Sequence, residues 1–90
     1  MTTLRLPPSV THLNADAIAL EYLTVMRAHT GPVTTIDASQ MLHFDSSLLA
    51  LFLTVIKNMQ ERNGVLRITG LSQRAKALAH VYGVGELLPA

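Results

Sequence analysis

The chain has 90 residues, of which 49% are hydrophobic and 14% are charged; its formal net charge is +1 and it contains no cysteine. Such a length allows a single domain over residues 1–90 and leaves little room for an enclosed active-site cavity. The charge balance excludes the basic face that nucleic-acid binding needs, and the absence of cysteine excludes disulfides and thiolate metal sites. Because globular domains usually carry about 25% charged residues, part of the apolar surface is expected to stay exposed as an interaction site.

The sequence has no feature that would direct the chain into or across a membrane. Met1–Val10 lacks the apolar run of a signal peptide. The longest apolar stretch, Leu48–Ile56, falls far short of the roughly 20 residues that span a bilayer. We therefore expect a cytoplasmic protein without direct membrane insertion.

Strand and helix patterns alternate along the chain. Pro7-Pro8 ends the first strand, because proline cannot donate to a ladder, and Gly31-Pro32 and Asn63-Gly64 end the first two helices. Ser72 is a favourable N-cap for the third helix. In chain order, the predicted elements are a strand at Thr2–Leu6, a helix at Asn14–His29, a strand at Val33–Asp37, a loop at Ala38–Phe44, a helix from Asp45 to Arg62, a strand at Val65–Thr69, a helix from Ser72 to Gly83 and a short apolar tail at Val84–Pro89.

The order β-α-β-α-β-α predicts a small α/β domain with a mostly parallel sheet and with helices packed mainly on one face. Only one strand is predicted before the first helix. In the first and last helices, apolar residues recur on one side at the spacing of a helix that packs one face on a core. The first helix carries Leu13, Ala17, Leu20 and Leu23 on that side, joined by Ile18, Val25 and Met26, and the last carries Leu71, Ala75, Leu78 and Tyr82.

The long central helix is apolar over most of its circumference. Leu48, Leu51, Phe52 and Val55 form one side, and Leu49, Leu53 and Ile56 widen the arc well beyond the usual ~100°. Such a helix must be buried on more than one side. Either a partner protein covers the second side, or the flanking helices of the same domain do.

The start of this helix carries two hydroxyl groups after an aspartate. Asp45 or Ser46 can cap the helix by accepting its free N–H groups. A phosphate on Ser46 or Ser47 would be tolerated near the positive end of the helix dipole, and its charge beside Asp45 would weaken docking of an apolar or acidic partner. Both serines are therefore candidates for phosphorylation.

Catalysis and metal binding have weak support in the sequence. His43, Asp45 and Ser46 lie close together, but no Gly-x-Ser-x-Gly elbow is present. The four histidines show no ligand spacing, and no Gly-x-x-x-x-Gly-Lys loop occurs, so nucleotide hydrolysis would belong to a partner. We predict a protein that is not an enzyme and that needs no cofactor or metal.

The run Ile36-Asp37, a loop, and then Phe44-Asp45-Ser46-Ser47 followed by an apolar helix resembles the STAS domain family. The resemblance covers nearly the whole chain. It is greatest for the MlaB-type members, which have about this length and a similar ending at Leu78–Pro89. Leu48 stands where phosphorylated STAS domains usually carry a glycine. STAS domains also usually begin with a hairpin, whereas only one strand is predicted here before the first helix. The sheet is therefore expected to be one edge strand short.

The resemblance implies a subunit that binds the ATPase of an ABC-type phospholipid transporter, an MlaF-like protein, and through it an MlaE-like permease. Such a subunit supports assembly and activity of a complex that maintains outer-membrane lipid asymmetry, from the cytoplasmic side of the inner membrane. The family's key hydroxyl corresponds to Ser46, whereas the phosphorylated hydroxyl of anti-sigma-factor antagonists corresponds to Ser47.

The last helix carries a polar face of Arg74, Lys76 and His80, which is a solvated face unless an acidic partner covers it. Two alternatives to the transporter subunit remain open: an anti-sigma-factor antagonist switched by serine phosphorylation, and a homodimer whose long helix packs on itself. The residues predicted to bind the partner are Asp45, Ser46, Ser47, Leu48, Leu49 and Arg74.

Overall fold

The computed structural model describes residues 2–28 and 31–83. The predicted α/β class and the order of the longer elements are confirmed. The predicted helix end at His29 and the tail at Val84–Pro89 lie outside the described residues. In chain order, the elements are β1 (Thr2–Arg5), β2 (Ser9–Val10), α1 (Ala15–Ala28), β3 (Val33–Asp37), β4 (His43–Phe44), α2 (Ser47–Glu61), β5 (Val65–Thr69) and α3 (Gln73–Val81).

Three of the strands form a parallel sheet in the order β1-β3-β5. Leu4 lies opposite Ile36, and Ile36 lies opposite Ile68, so the apolar positions share one face. On β1, Leu4 is buried whereas Thr3 and Arg5 are exposed. Both crossovers step in the same direction across the sheet, which places α1 and α2 on the same face. The prediction that helices cover mainly one face is confirmed.

The prediction of a single strand before the first helix is wrong, as is the prediction that His43–Phe44 belongs to a loop. Strand β2 follows the two prolines and pairs in parallel with β4. The prolines end the first ladder at Leu6, whose N–H still reaches the Asp37 carbonyl. The Pro8 carbonyl then accepts the N–H groups of both Leu42 and His43, at 2.7 and 2.9 Å, so pairing resumes on a different strand.

Helix α1 buries only part of the side that the sequence predicted, since Ile18 and Met26 are buried but Leu13 and Leu20 are exposed. Its buried residues are Ala15, Ile18, Tyr22 and Met26. Leu20, on the predicted side, is 67% exposed. The Tyr22 hydroxyl donates to the Arg5 carbonyl at 2.7 Å, so an amphipathic tyrosine serves as a core residue with its polar tip satisfied. The prediction failed because it gave the leucines more weight than Tyr22.

Helix α2 supplies the centre of the core. Leu48, Leu51, Phe52 and Val55 are at most 2% exposed, and Leu49 and Ile56 are 5% and 8% exposed. The wide apolar arc is therefore covered within the domain, by its flanking elements, and no partner is needed for it. Among the large apolar residues of α2, Leu53 is the exposed one, at 39%. This leaves little apolar surface for a homodimer through α2.

Helix α3 begins where the sequence predicted. The Ser72 hydroxyl accepts the Ala75 N–H at 3.2 Å. The turn before it needs Gly70, whose φ is +71° and where an added Cβ would lie 2.8 Å from the Ser39 backbone. Ala75 and Ala79 form the buried face, whereas Tyr82 is 60% exposed and does not join the core as its spacing indicated.

Candidate partner-docking surface

Asp45 links the start of α2 to the turn before α1. Its Oδ1 accepts the Ser47 N–H at 2.8 Å, while its Oδ2 accepts the His12 N–H at 3.0 Å and lies 3.1 Å from His12 Nδ1. The hydrogen bonds from His12, together with that from Ser47, hold the pKa of the Asp45 carboxyl well below its ordinary value. Asp45 is therefore the residue that caps α2, and the Ser46 side chain makes no capping bond.

His12 is a site residue that the sequence interpretation missed. It is 33 residues away from Asp45, so no local motif relates the two. The parallel pairing of β2 with β4 brings them together, since Val10 lies opposite Phe44 and its carbonyl accepts the Asp45 N–H. Pairing of Ser9–Val10 with His43–Phe44 would have predicted this contact. It was missed because Pro7-Pro8 was taken as the end of strand pairing.

The two adjacent serines face different surfaces of the domain. Ser46 is exposed and lines a groove shared with α3, where Arg74 also lies. Ser47 is half-buried and lines a smaller pocket between α1 and α2, beside His12 and Asp16. This separation follows from the ~100° rotation between successive helical residues. A modification or substitution at one serine therefore acts on a different surface from the other.

The groove between the start of α2 and α3 has a volume of about 450 Å³. The Arg74 guanidinium lies 5.4 Å from the centre of the Phe44 ring, a cation–π arrangement. Val81 and Tyr82 are 78% and 60% exposed at its rim. The groove is lined by Phe44, Asp45, Ser46, Arg74, Ala77, Leu78, Val81 and Tyr82. We refer to it below as the α2–α3 groove.

The structure thus brings together Asp45, Ser46 and Arg74 of the six residues predicted to bind a partner. Leu48 and Leu49 are buried, at 0% and 5% exposure, and so cannot contact a partner without rearrangement. Leu48→Asp would place an unpaired charge in the core, so it is expected to destabilise the fold itself.

The groove also contains apolar residues that the sequence interpretation had not assigned to the site. Val81 and Tyr82 lie seven and eight positions after Arg74, with Leu78 four positions after it. This is the spacing of one helix face, so a signal was present in the sequence. It was interpreted as a core pattern for Tyr82 and as a polar face for Arg74.

The described residues contain no group of three or more histidine and acidic side chains placed to hold a metal ion. In the same part of the chain, no helix combines the length and the apolar character that crossing a bilayer would require. The α2–α3 groove offers an aromatic ring, a guanidinium, a hydroxyl and exposed apolar side chains.

Comparison with known proteins relates the chain to one family. A protein-family model described as "Mlab, STAS domain" matches residues 1–89. Two proteins named anti-sigma-B factor antagonist, from Listeria monocytogenes and Listeria innocua, are each 29% identical to this chain over 68 residues. That match covers 76% of this chain, and the chain spans 60% of the length of these relatives. None of these names describes an enzyme.

Proposed function

Because the chain belongs to the MlaB-type STAS domain family, we propose that it is a non-catalytic subunit that binds the ATPase of an ABC-type phospholipid transporter. In this role it supports assembly and activity of the transporter and reaches the permease only through the ATPase. It works at the cytoplasmic side of the inner membrane, in a complex that maintains outer-membrane lipid asymmetry. The observation that carries the proposal is the α2–α3 groove, which combines Ser46 with Arg74.

The composition of the groove favours a protein partner. Its rim exposes Tyr82 beside Arg74, and tyrosine and arginine are among the residue types that dominate binding energy at interfaces. Val81 adds exposed apolar surface at the same rim. Arg74 rests on Phe44, which holds the guanidinium in place before binding. We expect the partner to insert an apolar side chain and to offer a carboxylate or carbonyl oxygen to Arg74.

The proposal is tested by co-purification with the transporter ATPase of the same cell, using single substitutions in the groove. Arg74→Glu reverses the charge at its centre, and Ser46→Glu adds a second carboxylate beside Asp45. Each is expected to weaken ATPase binding by roughly tenfold or more, as expected when a charged contact is replaced by a repulsive one. Lys76→Glu is the matched control, because Lys76 is exposed on α3 and does not line the groove.

Retention of the ATPase by both groove variants, at wild-type affinity, would contradict docking through the groove. Equal losses for Arg74→Glu and Lys76→Glu would mean that net charge, and not this surface, controls binding. Far-UV circular dichroism on each variant separates loss of binding from loss of folding.

A second candidate function is that of an anti-sigma-factor antagonist, the name of the two Listeria relatives. In that case the modified hydroxyl would be Ser47. Ser47 lines a pocket with Asp16 and follows the Asp45 carboxylate, so a phosphate there would meet two acidic groups. Among the described residues that line this pocket, His12 is the one base. Ser46 has Arg74 in its groove instead. A partner lost through Ser47→Glu and retained by Ser46→Glu would favour this second function.

A further inference from the structure

The proposed function makes no use of the small pocket between α1 and α2, which we call the α1–α2 pocket. Its volume is about 200 Å³, and the described residues that line it are all different from those that line the α2–α3 groove. Three alanines create the space, since Ala15, Ala19 and Ala50 have no side chain beyond Cβ. Sites that enclose a small-molecule ligand usually measure about 300–1,000 Å³. The α1–α2 pocket is therefore of a size for one side chain of another protein.

The polar groups that line this pocket present hydrogen-bond acceptors. The Thr54 hydroxyl donates its proton to the Ala50 carbonyl at 3.0 Å, which leaves its oxygen as an acceptor. The Ser47 hydroxyl bonds to the Asp45 carboxylate, so its proton is committed as well. Asp16, in the first turn of α1, adds a carboxylate. Three oxygen acceptors from two helices therefore border the same space.

An anion is a poor occupant of the pocket, although both helices begin beside it. N–H groups at the two helix starts already have acceptors within the chain. The Ser47 N–H bonds to the Asp45 carboxylate, and the Ala15 N–H bonds to a carbonyl of the preceding turn. His12, the basic residue among the described lining residues, lies 3.1 Å from the same Asp45 carboxylate. An anion would therefore find these donors in use and would meet the Asp16 carboxylate.

The charge of Asp16 is not balanced within the described part of the chain. The ion pairs that join described residues do not include Asp16. Lys57, one turn after Thr54 on α2, is exposed and does not line the pocket. The other acid of α1, Glu21, is exposed too and lies outside the pocket. The chemistry that fits this site is therefore a positive group with several N–H donors.

We propose that the α1–α2 pocket receives a lysine side chain of a partner protein. The ammonium group carries three donors and no acceptor, which matches the oxygens of Asp16, Ser47 and Thr54. The apolar stem of the lysine packs against Ala19 and Ala50. This site goes beyond the proposed function, because docking through the α2–α3 groove uses none of these residues. Failure of either proposal leaves the other untouched.

The first experiment is an NMR titration of the isotope-labelled full chain with N-acetyl-lysine amide at constant ionic strength. The probe is expected to shift the amide signals of Ser47 and Ala50 saturably, with a dissociation constant in the millimolar range. N-acetyl-norleucine amide is the matched probe, because it keeps the stem and lacks the ammonium group. An absence of saturable shifts with the lysine probe, or equal shifts with the norleucine probe, overturns the proposal.

A titration with spermidine distinguishes a side-chain site from a site for a free polyamine. Spermidine carries ammonium groups without the backbone of an amino acid, and it is expected to bind no more than about tenfold more tightly than the lysine probe. Binding that is roughly 100-fold tighter or more overturns the assignment to a side chain of a partner.

Substitutions test the charge and the space of the pocket separately. Asp16→Asn removes the charge at constant size and is expected to weaken binding of the lysine probe about fivefold or more. Glu21→Gln is its control, because Glu21 is an exposed acid of the same helix outside the pocket. Ala50→Leu fills the space and is expected to abolish saturable binding, whereas Ala17→Leu, at an exposed alanine outside the pocket, is its control.

Each control variant is expected to bind the lysine probe like the wild type. Unchanged binding in either Asp16→Asn or Ala50→Leu, or an equal loss in the matching control, overturns the proposal. The amide spectrum of every variant verifies that the domain remains folded.

Discussion

Helices α1 and α2 make opposite use of their apolar residues. Helix α2 is apolar around most of its surface, yet its large apolar side chains are buried apart from Leu53. Helix α1 carries fewer large apolar residues and still leaves Leu20 exposed. The difference arises from position, because α2 contacts both α1 and β5, whereas α1 lies beside α2 and crosses only between β1 and β3. The apolar content of a helix therefore does not predict whether its apolar residues are exposed to a partner.

The largest expected effect separates the two helices directly. Phe52→Ala removes a ring that is 1% exposed in the centre of the core and should cost about 3–5 kcal/mol of unfolding free energy, by loss of contacts and formation of a cavity. Leu20→Ala removes a side chain that is 67% exposed and should change stability by less than about 0.5 kcal/mol. Urea unfolding followed by circular dichroism measures both. Comparable losses for the two variants would show that α1 is packed differently from this description.

A second prediction concerns the bond that fixes the orientation of α1. Tyr22→Phe keeps the ring and removes the hydroxyl that donates to the Arg5 carbonyl. We expect a loss of about 0.5–1.5 kcal/mol in the free energy of unfolding, which is the net contribution of a typical hydrogen bond. The substitution leaves the Arg5 carbonyl without this part-buried bond. The same substitution at Tyr82, which is 60% exposed, is the control and should be neutral. A neutral Tyr22→Phe would mean that packing alone orients α1.

A third prediction concerns Asp45, which ties the start of α2 to the turn before α1. The pKa of its carboxyl is lower in the folded state, so its bonds stabilise the fold above the unfolded value of about 3.9 and are lost as the pH falls through the folded value. Asp45→Asn should therefore be less stable than the wild type at neutral pH. The stability difference between the two proteins should narrow as the pH falls below about 3.9. Unfolding midpoints across a pH series measure this.

His12→Ala is the companion variant for Asp45→Asn. It removes the ring contact with the Asp45 carboxylate and keeps the backbone N–H that donates to it. Its midpoint should therefore lie between those of the wild type and Asp45→Asn at neutral pH. A difference between wild type and Asp45→Asn that does not change with pH would contradict the assigned role of the carboxylate charge.

The smallest expected effect is at Ser46. Since its side chain makes no capping bond, Ser46→Ala should alter stability by less than about 0.5 kcal/mol, although it removes a hydroxyl from the α2–α3 groove. Ser72→Ala removes a hydroxyl that does cap a helix and should cost about 1 kcal/mol. Thermal unfolding of the pair gives the comparison. A loss at Ser46 as large as that at Ser72 would show that Ser46 supports the fold as well as the groove.

The predictable parts of this molecule are those that depend on local pattern. Apolar runs and turn residues defined the main strands and helices, and Ser72 was identified as a cap from its type and position alone. The contact between His12 and Asp45 was not predictable in this way, because it depends on which strand β4 pairs with. The exposure of Leu20 was not predicted, because a tyrosine can fill a core position when its hydroxyl finds an acceptor.

The candidate site was predicted to a similar extent. Asp45, Ser46 and Arg74 were chosen from capping chemistry, resemblance and helix polarity, and they line one groove. Leu48 was chosen because its helix is apolar over most of its circumference, and pattern alone does not reveal whether a neighbour in the same domain or another protein covers such a helix. That distinction depends on the three-dimensional order of the helices over the sheet.

The break in strand pairing at Pro7-Pro8 affects the order in which the contacts around the groove can form. Segment Thr2–Val10 pairs first with β3 and then with β4, so residues far apart in the chain must meet before His12 can reach Asp45. Contacts of such long sequence separation form at a high entropic cost and are slow to assemble. Under the proposed docking at the α2–α3 groove, the partner would meet a chain whose N-terminal strand is already paired, because His12 is then in place to bind Asp45.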